Sequence, residues 1–339
     1  MTKRGPTLED VAREAGVSRA TASRVVNGVR NVDPRIQEAV RRAITRTGYT
    51  PNQAARSLVT RRTGAVALVF SATGEAFAAR VFADPFFGRV VDGALGFLRE
   101  RTVQPVLLVA ESEQARVQVV QYLRQGAADG ALVVSLDADD PLPAMLVAAG
   151  VPTVLFGRPP GPLRVGYVDL DNAAGARLAA GHLLARGRRR LATIGAPTSA
   201  PAARDRLDGF RAALTEAGIT DVAVVRGRFT AESGRAAMAR LLREHPGLDG
   251  VFAANDLMAQ GACQHLRERG LAVPGDIAVV GFDDSRAATE CRPGLTTVRQ
   301  PVEEMAAAMA RLLVDRLRGT AEDGSRVLFE PELVVRESA

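Results

Sequence analysis

Aromatic residues and cysteines are scarce in this chain of 339 residues. It contains no tryptophan, and aromatic residues make up 4% of it, so its core must be built mainly from aliphatic side chains. The two cysteines, Cys263 and Cys291, lie far apart and form no CxxC motif. This spacing argues against a disulfide framework or a zinc site and fits a reducing compartment. We therefore expect a cytoplasmic protein without a metal or a cofactor.

Long apolar runs are also missing. The first ten residues, MTKRGPTLED, include no apolar segment of the kind that a signal peptide needs. No stretch approaches the roughly 18 uninterrupted apolar residues that a membrane helix requires. We therefore expect neither secretion nor a membrane partner. Apolar residues nevertheless make up 47% of the chain, which is enough for a large core, and the length exceeds that of one ordinary domain.

Positive charge is concentrated at one end of the chain. Residues 1–62 contain 13 Lys and Arg and 5 Asp and Glu, a net charge of +8, whereas the whole chain has a net charge of +6. Residues 63–339 therefore sum to −2. This asymmetry favours a small module that binds nucleic acid, followed by a larger region with a different task. The alternative is a solvated basic tail, but a tail would lack apolar periodicity.

Residues 7–48 have the pattern of three short helices, with apolar residues recurring at helical spacing in each. Helix-start and helix-stop residues bound these segments: Thr7 with Asp10, Ser18 and Asp33-Pro34 at the starts, and Gly16 and Gly48 at the ends. The tight turn between the first two helices predicts a helix-turn-helix. The second helix of such a motif enters the major groove with its N-terminal residues against base edges.

The second helix would expose Arg19, Ala20 and Arg24. Arginine is the commonest reader of guanine, through O6 and N7, and a small alanine lets the helix approach and can touch a thymine methyl. The alternatives are that both arginines contact only phosphate, or that this helix is ordinary surface. The predicted DNA contacts of the three-helix module are Thr7, Ser18, Arg19, Ala20, Thr21, Ser23, Arg24 and Asn27.

The segment TLEDVAREAGVSRATASRVVNG resembles the start of the lactose-repressor (LacI/GalR) family of bacterial transcription regulators, with Ala22 where valine is common. The stretch YTPNQAARSL that follows is similar to the family's hinge segment. The resemblance implies a short helix that orders when two copies meet on the operator, with Leu58 wedged between central base pairs in the minor groove. It also implies DNA contacts from Asn52 and Ala55. We expect the DNA-binding domain over 1–50 and the hinge over 51–63.

From Gly64 onward, apolar runs typical of buried strands alternate with helical patterns. The predicted strands are 65–70, 105–110, 130–135, 152–156, 190–195, 250–255, 277–282 and one near the C-terminus, and the predicted helices are 86–100, 171–187, 203–218, 232–245 and 256–270. This alternation predicts parallel sheets covered on both faces. It indicates two α/β subdomains with a cleft between them, within an effector-binding and dimerisation domain over 64–339.

The family resemblance implies the same architecture, a periplasmic-binding-protein-like fold in which the chain crosses three times between subdomains. We expect these crossovers near 157–163, 290 and 322. The N-terminal subdomain would then comprise about 64–160 and 293–322, and the C-terminal subdomain about 163–290 and 324–339.

Polar and aromatic residues that follow strands are candidates for an effector site, because ligands in such folds bind outside the carboxyl ends of the strands. Arg206 and Phe229 stand where the family carries a ligand-binding arginine and an aromatic residue. Carboxylates, an amide and a guanidinium can bond to vicinal hydroxyls, and an aromatic face can pack on a sugar ring. The candidates are Asp84, Phe86, Phe87, Ser135, Arg158, Arg206, Phe229, Asn255, Asp256 and Asp283. Asp256 could instead cap the following helix, and Phe86 and Phe87 could be helix-start packing.

The long connection over 71–85, DDPLP at 139–143 and FGRP at 156–159 look most like actinobacterial regulators of disaccharide use, such as those that sense cellobiose or maltose. The resemblance implies a repressor of carbohydrate-utilisation genes that binds double-stranded operator DNA and leaves it when a mono- or disaccharide binds in the cleft. The alternatives are a co-repressed regulator, one without an effector, and a sugar-binding protein of transport. The sequence has no catalytic motif, and we expect no enzymatic activity.

The expected assembly is a homodimer on a pseudo-palindromic operator. No heptad repeat follows PELVVRESA, so the tetramer-forming tail of some family members is not expected. The predicted helices 86–100 and 232–245, rich in Ala, Val and Leu, are the candidates for the dimer interface.

Overall fold

The computed structural model describes residues 5–27, 31–50, 62–72, 77, 81, 83–135, 137–159, 161–322 and 324–339. Contacts divide the chain between Thr63 and Gly64 into two units. The hinge candidates Asn52, Ala55 and Leu58 lie outside the described residues, as does most of the long connection over 71–85.

The smaller unit consists of α1 (Leu8–Ala15), α2 (Arg19–Val26) and α3 (Pro34–Thr47). The predicted helix starts are confirmed: Thr7 and Asp10 form a capping box, Ser18 accepts a hydrogen bond from the amide of Thr21, and Asp33 accepts one from the amide of Arg35. Gly16 and Gly48 follow α1 and α3 with φ of +65° and +66°, a conformation that glycine adopts without steric cost.

The core of the smaller unit is formed by few and small side chains. Val11 and Val40 meet at its centre and are fully buried. Ala22 is the residue of α2 that is fully buried, and Val25 packs against the same core from a half-buried position. The exposed positions of α2 are Arg19, Ala20 and Arg24.

The described residues of the larger unit form two six-stranded sheets with helices on both faces. The first part of the chain forms β1 (Ala65–Ser71), α4 (Pro85–Arg99), β2 (Gln104–Ala110), α5 (Glu113–Arg124), β3 (Ala131–Ser135), α6 (Leu142–Ala148), β4 (Thr153–Phe156) and β5 (Gly166–Leu170). These five strands and β11 (Arg326–Phe329) make up the first sheet, in the order β11-β5-β4-β3-β1-β2, and all its pairings are parallel.

The next part of the chain forms α7 (Asn172–Ala185), β6 (Leu191–Gly195), α8 (Pro201–Glu216), β7 (Ala223–Arg226), α9 (Ala231–Glu244), β8 (Gly250–Ala253), α10 (Asp256–Glu268), β9 (Ala278–Asp283), α11 (Arg286–Glu290) and β10 (Thr296–Arg299). These five strands and β12 (Glu332–Val334) make up the second sheet, in the order β12-β10-β9-β8-β6-β7, and its pairings are parallel except between β10 and β12. The chain then forms α12 (Val302–Arg318) and β11 (Arg326–Phe329) on the first sheet and β12 (Glu332–Val334) on the second.

The three crossovers lie later in the chain than predicted. They fall between Leu170 and Asn172, between Arg299 and Val302, and between Phe329 and Glu332. The predicted subdomain limits therefore placed β5, β10 and β11 with the wrong sheet. These strands are only four or five residues long and include polar residues, so their sheet membership depends on which neighbour they pair with rather than on an apolar run.

One apolar core continues from the first sheet to the second beneath the crossovers. It includes Phe70 and Leu132 of the first sheet, and Phe252 and Phe282 of the second. Helix α12 belongs to the same core through Met305 and its apolar neighbours. No helix in the described part of the chain is long and apolar enough to span a membrane.

Candidate functional site

A cavity of about 650 Å³ lies between the two sheets of the larger unit. Its walls come from both subdomains, and most of its polar residues stand at or just after the carboxyl ends of parallel strands. Because these ends face each other across the crossovers, polar groups from distant parts of the chain converge there. Nine of the ten predicted effector residues line this cavity: Asp84, Phe86, Phe87, Ser135, Arg158, Arg206, Phe229, Asn255 and Asp283.

Arg206 of α8 is the buried cation of the cavity wall, with 5% of its surface exposed. It donates hydrogen bonds to Asn172 Oδ1 at 2.8 Å, to the main-chain oxygen of Ala254 at 2.6 Å and to Gln300 Oε1 at 2.9 Å. The guanidinium also lies 3.6 Å from the centroid of the Phe282 ring. Burial lowers the pKa of Arg206, although nearby carboxylates oppose this effect. Its orientation is therefore set by partners from four other segments.

Asp283 is the carboxyl group that faces this guanidinium, with Oδ1 at 3.5 Å from Arg206 Nη1. It ends β9 with φ of +114°, and Asp284 follows with φ of +49°, conformations that non-glycine residues adopt only under structural constraint. Burial raises the pKa of Asp283 to about 8, although Arg206 acts in the opposite direction. A ligand hydroxyl that donates to this group would favour its ionised form.

Aromatic rings line two parts of the cavity. Phe86 is half-buried and makes edge-to-face contacts with Phe87 and Phe156, at centroid distances of 5.3 and 5.5 Å. Phe87 is 1% exposed and also packs on Phe70, so Phe86 is the ring of this pair that presents a surface. On the other subdomain, Phe229 is half-buried with φ of +63°. These rings can pack on the apolar faces of a sugar.

Two contacts join the subdomains at the cavity wall. Arg158 follows β4, and its Nη2 lies 2.6 Å from Asp205 Oδ2 on α8. The amide of Ala138 donates to the main-chain oxygen of Ser199 at 2.7 Å. Both contacts would have to separate if the subdomains moved apart here.

Ser135 has a different setting. It donates to Asp140 Oδ2 at 2.8 Å, and Asp140 forms a buried ion pair with Arg116 at 2.9 Å. Its hydroxyl is therefore held by the wall of the cavity.

Asp256 is the predicted effector residue that the structure does not bring into the cavity. It is fully buried and accepts hydrogen bonds from the amide and hydroxyl of Ser285 and from the hydroxyl of Thr297. Burial raises its pKa to about 6, against the effect of these hydrogen bonds. Gly281 makes room for it, because a Cβ there would overlap Asp256 Oδ1. The helix cap is Asn255, which accepts from the amide of Met258 at 3.0 Å.

Asn172, Gln300 and Asp169 line the cavity but were missed as candidates. Asn172 and Gln300 hold Arg206, and Asp169 is 8% exposed with its pKa raised by burial. All three stand at the end of or just after β5 and β10, strands that the apolar pattern did not reveal. If GYVDL and TTVR had been recognised as strands, the three residues would have been candidates, because polar residues that follow strands were selected.

The smaller unit presents the predicted base-reading face. Arg19, Ala20 and Arg24 are exposed on α2. Arg24 Nη2 donates to the main-chain oxygen of Asn31 at 3.1 Å, and Arg19 lies 3.9 Å from Glu9. The other candidates are exposed or half-buried, and several are bonded within the unit. Thr7 and Ser18 cap α1 and α2, the amide of Thr21 donates to the Ser18 hydroxyl, and the side-chain amide of Asn27 donates to the Ser23 hydroxyl.

Comparisons with known proteins agree with this organisation. Residues 7–52 match the bacterial regulatory proteins of the lacI family, and residues 180–339 match a periplasmic binding protein-like domain. The HTH-type transcriptional regulator CelR of Thermobifida fusca is 48% identical over 340 residues, which cover 99% of both chains. The chain belongs to the lacI family. This confirms the predicted family, and with it a sequence-specific DNA-binding regulator of transcription.

Other lacI-family members extend the comparison. The ribose operon repressor of Escherichia coli K12 is 33% identical over 337 residues, which cover 98% of this chain and 99% of the repressor. A solved transcriptional regulator CelR–cellobiose complex superposes with a TM-score of 0.77 at 46% identity, covering 98% of this chain and 100% of that one. The lac repressor dimer bound to operator and the anti-inducer ONPF superposes with a TM-score of 0.84 at 28% identity, covering 99% of each chain. The predicted fold class is thereby confirmed.

Proposed function

We propose that this lacI-family regulator represses genes of carbohydrate use in the cytoplasm. A homodimer would hold a pseudo-palindromic operator, and an uncharged disaccharide in the cavity of each chain would release it. The observation that carries this proposal is the cavity itself, in which the buried Arg206 and the carboxyl of Asp283 stand beside aromatic surfaces. Such a site recognises hydroxyl groups and ring faces, and we propose that the protein acts by binding and not by catalysis.

The charge of the cavity favours an uncharged ligand. Among the described lining residues, aspartates outnumber arginines: Asp84, Asp137, Asp140, Asp169, Asp205 and Asp283 against Arg158 and Arg206. Asp140 is paired with Arg116, and the pKa of Asp283 is raised to about 8. The other four aspartates still outnumber the two arginines, and an excess of carboxylates repels sugar phosphates and uronic acids. The hydroxyls of a neutral sugar can instead donate to the carboxylates and accept from the guanidinium.

The size of the cavity and one relative support a disaccharide. The volume of about 650 Å³ lies in the middle of the range of small-molecule sites, about 300–1,000 Å³. The relative that was solved as a cellobiose complex shares 46% of its sequence with this chain. We therefore propose cellobiose, or a disaccharide of similar shape, as the effector.

The DNA half of the proposal follows from the length of α2. This helix has eight residues, so one copy can read one half-site, and two copies are needed for a palindrome. The lac repressor is a dimer on its operator. The helices predicted to form the dimer interface correspond to α4 and α9, and we propose them as that interface. Effector binding and operator binding would oppose each other with a reciprocal coupling, typically about 1–3 kcal/mol.

Fluorescence anisotropy with the full chain and a labelled fragment of its own promoter region tests this function. Cellobiose, maltose and glucose are titrated into the complex, with cellobionic acid as the anionic counterpart of cellobiose. We expect release by cellobiose and none by the acid. Tighter binding with cellobiose would replace induction by co-repression, and no response to any sugar would refute the proposed effector class.

Two variants localise the response. Asp283→Asn keeps the shape of a cavity side chain but removes its ionisable group, and should weaken the response to cellobiose while operator binding stays intact. Glu216→Gln is the matched control, because Glu216 is an exposed carboxylate of α8 that pairs with Arg177 away from the cavity. An equal response in Asp283→Asn and wild type would remove Asp283 from the site.

A further inference from the structure

Arg89 of α4 lies next to the cavity wall and joins elements of both subdomains. It stands one turn after Phe86, and its side chain is 20% exposed. Its Nε and Nη2 donate to the two carboxylate oxygens of Glu303 on α12, at 2.7 and 2.8 Å. This two-point geometry is specific to a guanidinium and a carboxylate.

The same guanidinium reaches two main-chain oxygens at the crossover. Nη1 donates to the oxygen of Asp283 at 3.1 Å, and Nη2 donates to the oxygen of Gln300 at 3.1 Å. Asp283 ends a strand of the second sheet, and Gln300 lies in the connection from β10 to α12. Arg89 therefore ties α4 and α12 to the backbone of the opposite subdomain.

Both residues held in this way also have side chains that face Arg206. Gln300 Oε1 accepts from Arg206 at 2.9 Å, and Asp283 Oδ1 lies 3.5 Å from it. The positive φ of Asp283 shows that its backbone is constrained. A ligand that shifted the backbone of either residue would move a carbonyl that Arg89 holds.

The partner helices of the first subdomain are in backbone contact. A Cβ on Gly93 would overlap the main-chain atoms of Glu303, so the backbones of α4 and α12 touch at this point. Glu303 is thereby fixed relative to α4 one turn beyond Arg89, and the pair can respond as one rigid body. Small displacements at a packed interface of this kind are transmitted rather than absorbed.

We propose that Arg89 is a positioning residue that couples occupation of the effector cavity to the α4–α12 pair. It makes no contact with the ligand in this scheme. Its bidentate ion pair with Glu303 and its hydrogen bonds to the main-chain oxygens of Asp283 and Gln300 convert a shift at the cavity into a movement of the two helices. This proposal rests on the proposed effector site, but it concerns how that site is coupled to α4 and α12.

The test separates coupling from affinity. Operator affinity is measured by anisotropy without cellobiose and at saturating cellobiose, and cellobiose affinity of the free protein is measured by calorimetry. We expect Arg89→Met to bind the operator like the wild type when cellobiose is absent. At saturation the wild type should lose affinity by a factor of about 5–150, and Arg89→Met should lose little or none. A variant that keeps the full factor and only binds cellobiose more weakly would overturn the proposal.

Three further variants guard against a general structural effect. Arg89→Lys keeps the positive charge but cannot form the bidentate ion pair with Glu303. Glu303→Gln keeps the shape of the side chain but removes its charge. Each variant should therefore give an intermediate coupling factor. Arg177→Met is the matched control, because it breaks an Arg–Glu pair that lies within the second subdomain. Loss of coupling in this control as well would overturn the assignment to Arg89.

Hydrogen exchange tests whether Arg89 holds the backbone of Asp283 and Gln300, even if cellobiose is not the effector. The amide of Gln300 bonds to the oxygen of Asp283, and that of Val302 to the oxygen of Gln300. If both amides exchange faster in Arg89→Met but not in Arg177→Met, Arg89 holds this backbone. Equal exchange rates in the two variants would overturn the proposal. Failure of the wild type to respond to cellobiose would count against the proposed function, and the exchange result would still decide the role of Arg89.

Discussion

Replacing Arg206 with methionine should destabilise the larger unit, because the guanidinium is the donor for buried acceptors that have few other partners. The change leaves Asn172 Oδ1, the oxygen of Ala254 and Gln300 Oε1 without this donor. Each buried acceptor that loses its partner costs about 1–3 kcal/mol, and breaking a buried ionic contact by removing one partner costs about 3–5 kcal/mol.

These costs do not add fully. Asp283 already has a pKa raised to about 8, so near pH 7 it can avoid an unpaired charge by staying protonated. Water can also enter the cavity and bond to some of the acceptors. We therefore expect a loss of about 3 kcal/mol in the free energy of unfolding, which in a unit of this size lowers the Tm by roughly 5 °C.

Thermal and urea unfolding of the full chain at neutral pH measure this loss, with Arg158→Met as the control. Both arginines line the same cavity, but the Arg158 side chain is 53% exposed in its pair with Asp205. An exposed ion pair contributes about 0–1 kcal/mol. If Arg206→Met were no less stable than Arg158→Met, the buried guanidinium would not be what holds this wall together.

Three other predictions concern base reading, pH and packing. Arg24→Ala should reduce discrimination between operator and random DNA by about 1–3 kcal/mol, measured by competition binding; equal weakening on both DNAs would refute base reading. The pKa of Asp283 is raised in the folded state to about 8 from its ordinary value of 3.8, so its contribution to stability is present at low pH and lost as the pH rises from about 4 to about 8. The stability of the wild type relative to Asp283→Asn should fall over that window in urea titrations, and a flat difference would contradict the raised pKa. Gly261→Ala should lower the free energy of unfolding by about 1–3 kcal/mol, because the added Cβ would overlap the main chain of Ala231. Gly181→Ala, where the added Cβ meets open space, should raise it by up to about 1 kcal/mol. Similar denaturation midpoints for the two variants would contradict the close approach of α9 and α10.

The elements that could be predicted are those specified by neighbours in sequence. The three helices of the smaller unit start and end at the expected residues because caps and stop signals act within one turn. The seven strands with continuous apolar runs were predicted for a similar reason, but β2 lies at the edge of its sheet and only Ala110 of it is buried, so the expectation of a buried strand at 105–110 was wrong. The strands β5, β7, β10 and β11 were missed because they are four or five residues long and carry charged or polar side chains.

The candidate site was predictable to the extent that its residues follow recognisable strands. Nine of ten candidates line the cavity, but the sequence did not distinguish Asp283, which faces Arg206, from Asp256, which supports the backbone of Ser285. It also gave no sign of the bonds of Arg89, whose partners lie 194 to 214 positions away.

By itself the sequence determined the three-helix module, its exposed basic face and the α/β class of the larger unit, because caps, helical periodicity and apolar runs are local properties. Tertiary structure alone decided which strands join which sheet, where the crossovers lie and which carboxylate reaches the cavity. Those outcomes depend on pairing and burial between distant segments. The partners of Arg206, for example, are 34, 48 and 94 residues away along the chain and meet only when both sheets are complete.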